Sequence, residues 1–176
     1  STNDMCIVLA NGQAGNAMLE DEDEQSAVFE EALHAVMEDL AKKIAADGEG
    51  ADRLMTCTVT NAADEQTAET LAMSICSSSL VKAAMFGADA NWGRVAAALG
   101  RSGARFNQED VDIDILGLPV CRGGLTVPFD EDEALRRFEN PEIAIDVDLG
   151  AGDAATTVWT CDFSHDYVTI NGDYRS

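Results

Sequence analysis

The chain has little basic charge. Its 176 residues include 11 Lys plus Arg against 33 Asp plus Glu, a formal net charge of −22. A nucleic-acid binder needs a basic face to neutralise phosphate, and a polybasic membrane contact needs clustered Lys and Arg. The charge argues against both. No apolar run reaches the length of a membrane span and no signal peptide opens the sequence, so a cytoplasmic protein is expected. Histidine is confined to His34 and His165, too few and too scattered for a zinc site. The five cysteines, Cys6, Cys57, Cys76, Cys121 and Cys161, are odd in number and no two have CxxC spacing, so buried free thiols are expected. There is no phosphate-cradling glycine loop, GxSxG elbow or HExxH pair, and no Ser or Thr has a base at a recognisable spacing. No metal or cofactor is expected.

What is present is a 46% hydrophobic composition, enough for a core and for one domain, or one domain with part of another. Acids stud the polar faces of predicted elements and form a solvated run over Glu20–Glu24. The lysines are only Lys42, Lys43 and Lys82. At this imbalance self-repulsion costs stability unless ions screen it. Two readings follow: an acidic protein kept in solution by charge, or one suited to a salt-rich cytoplasm.

Hydrophobic periodicity lays out the elements. Met5–Ala10 reads as a buried strand. Val28, Phe29, Leu33, Val36, Met37, Leu40 and Ile44 recur at helical spacing within a helix over Ser26–Asp47, which Gly48 ends. Met55, Cys57 and Val59 alternate with threonines in a half-buried strand. A helix is expected from Asp64 to about Ser79, a strand or a continuation of that helix over Leu80–Phe86, with strand the preferred reading, and a short helix from Asn91 to Gly100. The last third alternates in strands near Asp110–Leu116, Ile143–Leu149, Ala155–Asp162 and Tyr167–Ile170. A hairpin turns at Gly123-Gly124, and a helix covers Asp130–Phe138. Adjacent strands with helices between them indicate α+β.

Three segments draw attention as chemistry. Gly48-Glu49-Gly50 sets a carboxylate just past a helix C-terminus, where the macrodipole is already negative and an ammonium group is favoured. On spacing alone it reads as a solvated turn. Asp89-Ala90-Asn91-Trp92-Gly93-Arg94 reads as a capped helix start or a site loop. The tail Asn171-Gly172-Asp173-Tyr174-Arg175-Ser176 would fray or dock.

Taken in order, Ser1-Thr2-Asn3-Asp4, Ala10-Asn11-Gly12, Asp47-Gly48-Glu49-Gly50-Ala51, Ser78-Ser79-Leu80-Val81-Lys82, Phe86–Arg94, Cys121-Arg122-Gly123-Gly124 and Ile170–Ser176 resemble the β chain of the ornithine acetyltransferases, the glutamate N-acetyltransferases of arginine biosynthesis. The resemblance covers essentially the whole chain. It implies an N-terminal-nucleophile-hydrolase-like layered core in a precursor that cleaves itself before a threonine. That threonine carries acetyl from N-acetylornithine to glutamate, with an oxyanion hole on the α chain. It implies Glu49, Asn171 and Ser176 as substrate-binding residues and no catalytic residue within these 176. The nucleophilic Thr is expected upstream, because Thr2 matches an inner motif of the family and not its cleavage site.

The expected division is residues 1–50 as part of the layered core, completed by an upstream segment and the α chain, and residues 51–176 as a smaller α/β domain. The expected partners are those chain segments in a hetero-oligomer and the small substrates, with no nucleic acid and no membrane. The alternatives are a non-catalytic acidic scaffold of the same fold, or a relative with other acyl donors and acceptors.

Overall fold

A computed structural model describes residues 4–19 and 24–173. Ser176, Tyr174 and Arg175 of the tail, the Ser1-Thr2-Asn3 motif residues and most of the acidic run lie outside them. The elements are α1 (Glu24–Ala46), β1 (Leu54–Ala62), α2 (Glu65–Cys76), α3 (Ser79–Phe86), α4 (Trp92–Gly100), β2 (Asp112–Ile115), β3 (Leu118–Arg122), β4 (Leu125–Thr126), α5 (Glu131–Arg137), β5 (Glu142–Asp148), β6 (Ala154–Cys161) and α6 (His165–Asp173). Among them no helix is long and apolar enough to cross a membrane.

The six strands form one mixed sheet in the order β4-β3-β2-β5-β1-β6. β1 and β5 run parallel, whereas β6 lies antiparallel to β1 and β2 antiparallel to β5. Alternation decides the faces. Met55, Cys57, Val59, Ile143, Ile145 and Ile113 are fully buried on one face, under α2, whose Ala68, Leu71, Ala72 and Ile75 are buried too. α2 is tied to α4 by the Ser74 hydroxyl, which donates to the Ala98 carbonyl at 2.6 Å. The other face carries threonines and acids. α1 lies against its β6 edge, with the Lys42 ammonium 5.2 Å from the centre of the Trp159 ring. The expected α+β class is met.

Each of α2, α3, α4 and α5 opens on a side-chain cap, which explains its start. Asp64, Ser78, Asn91 and Asp130 accept from the amides of Thr67, Val81, Arg94 and Glu133.

Several expectations are corrected. Met5–Ala10 is not a strand: no described strand pairs with it, and Met5, Ile7, Val8 and Leu9 are 65–90% exposed. Cys6 is accordingly exposed, while Cys57, Cys76 and Cys121 are buried and all five thiols are free. α1 forms where its spacing predicts, with Glu24 inside it, but none of its residues is fully buried, and Val28, Phe29, Val36 and Met37 stay exposed. Leu80–Phe86 is helix, because Ser78 caps a new start and the buried Val81, Ala84 and Met85 follow i, i+3, i+4 spacing. Tyr167–Ile170 is helix as well. β6 is the sheet edge and bonds only to β1, and the Ser164 hydroxyl accepts from the Tyr167 amide at 3.2 Å, as an N-cap does.

Candidate functional site

The chain leaves α1 through a turn. The Ala51 amide donates to the Gly48 carbonyl at 2.9 Å, with Glu49 at the first corner and Gly50 at the second. Gly50 has φ +69°, so the second corner needs a left-handed residue, which a β-turn commonly fills with glycine. Space adds a second reason for glycine, since a Cβ at Gly50 would run into the backbone of Asp166 and Tyr167. Gly48 does not have a positive φ, so the left-handed glycine after the helix is Gly50 and not Gly48. Glu49 is exposed at this corner and is not without an interaction.

The wall behind the turn is the chain following β6. The Asp162 carboxylate is 1% exposed, and its Oδ1 accepts from the amides of Asp52 at 3.0 Å and Arg53 at 3.3 Å. Its amide returns a bond to the Arg53 carbonyl at 3.2 Å, and its Oδ2 is buried without a hydrogen-bond partner. Ser164, 3% exposed, donates its hydroxyl hydrogen to the Gly50 carbonyl. A Cβ on Gly48 would lie 3.0 Å from the Cys161 sulfur.

α6 then carries Asn171. Its side chain is half-buried and donates to the Tyr167 carbonyl at 2.9 Å. The turn that bears Glu49 therefore packs on the first turn of α6, and Asn171 lies one turn further along that helix. Ser176 lies beyond the described residues, so the structure places two of the three residues that the resemblance implies, on neighbouring segments.

α3 packs against the chain that follows β6 and against Arg53. The Lys82 ammonium donates to the Cys161 sulfur at 3.8 Å. Phe86 meets His165 edge-on at a ring separation of 5.3 Å, and the Arg53 guanidinium donates to the Met85 carbonyl at 3.0 Å. The site is thus a carboxylate on a rigid corner, with an ammonium and an amide on neighbouring elements. Groups of these kinds bind the charged ends of an amino acid by charge-assisted bonds.

Neither Asp162 nor Ser164 stands out in the sequence, and Lys82 enters only as the last residue of the Ser78–Lys82 motif. One signal pointed to Ser164, a serine three residues before Tyr167 after a strand, which is an N-cap pattern. Asp162 closed a predicted strand and gave no sign of burial.

The remaining motifs are structural. Asn91 caps α4, its Oδ1 accepting from the Arg94 amide at 3.1 Å, and Arg94 donates to the Leu80 carbonyl at 2.8 Å. Gly123 and Gly124 turn the β3–β4 hairpin with φ +55° and +71°, and a Cβ on Gly124 would strike the Gln108 carbonyl. Trp92 and this hairpin line a cavity of about 470 Å³. Its walls are mainly apolar and include neither Glu49 nor Asn171. The pKa of the buried Cys57 thiol is raised well above the ordinary value, first by the hydrogen bond that its S–H makes to Cys76 and then by burial.

Known proteins align with these features along the full chain. Residues 1–176 match the ArgJ family. The arginine biosynthesis bifunctional protein ArgJ of Symbiobacterium thermophilum is 49% identical over 176 residues, all of this chain and 44% of that protein. The protein of the same name from Deinococcus radiodurans is 48% identical over all of this chain and 43% of its own length. The chain therefore spans less than half the length of these relatives. A crystal structure of the arginine biosynthesis bifunctional protein from Bacillus halodurans matches with a TM-score of 0.92 at 44% identity, covering 99% of this chain and 82% of that one. That likeness carries the expected nucleophile-hydrolase-like α+β class.

Proposed function

This chain belongs to the ArgJ family, and from that premise we propose that it is part of an acetyltransferase moving acetyl from N-acetylornithine to glutamate in arginine biosynthesis. The reading assigns the nucleophile to a threonine upstream of these residues, freed when the precursor cleaves itself. The threonine hydroxyl attacks the acetyl carbonyl, ornithine leaves with its amine restored, and the acetyl ester is then attacked by the glutamate amine. An oxyanion hole on the α chain stabilises both tetrahedral intermediates.

Within this chain Glu49 receives the substrate's ammonium end, and Asn171 and Ser176 receive polar groups of the same amino acid. The observation that carries the reading is the Glu49 corner itself: a carboxylate on a turn locked by glycine, packed on the helix that bears Asn171. Residues 1–50 contribute to a layered core shared with the α chain and the upstream segment, and residues 51–176 form the α/β domain. In this account α1's exposed stripe of Val28, Phe29, Val36 and Met37 is covered in the hetero-oligomer, in the cytoplasm.

Glu49→Gln in the full-length enzyme tests the assignment. A charge-assisted bond contributes about 1.5–3 kcal/mol, so kcat/KM for N-acetylornithine should fall by about ten- to a hundredfold. Unchanged kinetics would move the ammonium site elsewhere.

A further inference from the structure

We propose that Asp162 and Ser164 are positioning residues that fix the Glu49 corner for substrate. The inference rests on the proposed role of Glu49 and adds two residues to it. The geometry points to them because together they hold the chain immediately after Glu49, at residues 50, 52 and 53. Ser164 takes the Gly50 carbonyl immediately after Glu49, and Asp162 Oδ1 takes the Asp52 and Arg53 amides at 3.0 and 3.3 Å. Both side chains are buried, at 1% and 3% exposure, and no other acid among the described residues is buried. Burying a carboxylate costs free energy unless hydrogen bonds compensate, and half of this one has no partner. A solvated turn closed by its own glycines would not need such a backing.

The backing also links the two substrate residues. The Ser164 hydroxyl that holds Gly50 accepts from the Tyr167 amide at 3.2 Å, and the Tyr167 carbonyl accepts from Asn171 at 2.9 Å. One chain of bonds runs from the corner bearing Glu49 to Asn171. A shift at Ser164 would therefore displace a charged ligand group without touching substrate, and a displaced binding group weakens substrate binding, which is read in KM.

The test uses the matured full-length enzyme with N-acetylornithine as the probe. Ser164→Ala and Asp162→Ala should each raise KM by about tenfold with kcat little changed. Asp162→Asn, which keeps an Oδ1 acceptor, should restore most of the loss, as should Ser164→Thr. In a Glu49→Gln background, Ser164→Ala should add no further KM penalty, because its effect acts through Glu49. Should Asp162→Ala fail to fold, the Ser164 variants and the background test decide alone. A Ser164→Ala penalty of equal size in both backgrounds would overturn the proposal, as would KM values within about twofold of wild type. If Glu49→Gln itself has no effect while Ser164→Ala does, the substrate role of Glu49 falls and this inference with it.

Discussion

Ser164 donates its hydroxyl hydrogen to the carbonyl of Gly50, 114 residues earlier in the chain. That bond ties the end of α1 to the start of α6 and makes the Glu49 corner a tertiary feature, not a local turn. Gly50→Ala should therefore be costly twice, through the positive φ and through collision with the Asp166–Tyr167 backbone. The expected loss exceeds about 1 kcal/mol, read as a lower denaturation midpoint. It should come with a weaker KM for N-acetylornithine. A midpoint unchanged from wild type would mean that the turn and α6 are not in contact.

Asn91 separates structural from substrate roles within the Phe86–Arg94 string. Its side chain caps α4 and also donates to the Asp89 carboxylate at 3.0 Å. Asn91→Ala should cost about 1 kcal/mol of stability and leave KM for donor and acceptor as in wild type. A selective rise in KM would place substrate at this loop instead.

The polar face of the sheet sets acid against acid. Asp146 of β5 stands directly opposite Asp114 of β2, and its pKa is raised by desolvation in the sheet and then by Asp114. A carboxyl whose folded pKa exceeds its unfolded one, about 3.9, destabilises the fold when ionised. The destabilisation is complete above the folded pKa, fades as pH falls through it, and is gone below the unfolded value. Asp146→Asn should thus be more stable than wild type at neutral pH, by a small margin because the side chain is exposed. The two should converge in acid. A stability gap that persists below pH about 3 would contradict this.

Salt should act in the same direction across the whole surface. With 33 acids and 11 bases, screening relieves net repulsion, so thermal stability should rise between low and molar KCl. A flat or falling melting temperature would mark an ordinary acidic protein.

The paired strands were legible because burial on one face writes period two directly into residues such as Met55, Cys57, Val59, Ile143 and Ile145. α1 was equally legible, yet its spacing said nothing of how little of the stripe this chain covers. The misread segments share one cause. Met5–Ala10, Leu80–Phe86 and Tyr167–Ile170 are apolar runs too short for periodicity to separate strand from helix. What decided two of them was a serine cap, Ser78 or Ser164. What decided the first was the lack of a pairing strand among the described residues. Of the proposed site, half was legible. Glu49 and Asn171 came from motif order, since a carboxylate between glycines is common in so acidic a chain. Asp162 and Ser164 were hidden because their bonds to residues 50–53 depend on where β6 ends relative to β1, and no local pattern encodes that register.

The most direct test of the account is to capture the acetyl group on the enzyme. Matured full-length protein is mixed with N-acetylornithine alone, and the intact mass of each chain is measured. The account predicts one added acetyl group on the chain that contains these 176 residues, at an N-terminal threonine. On addition of glutamate it should disappear as N-acetylglutamate forms. No acetyl adduct on any chain, together with no transfer to glutamate, would contradict it.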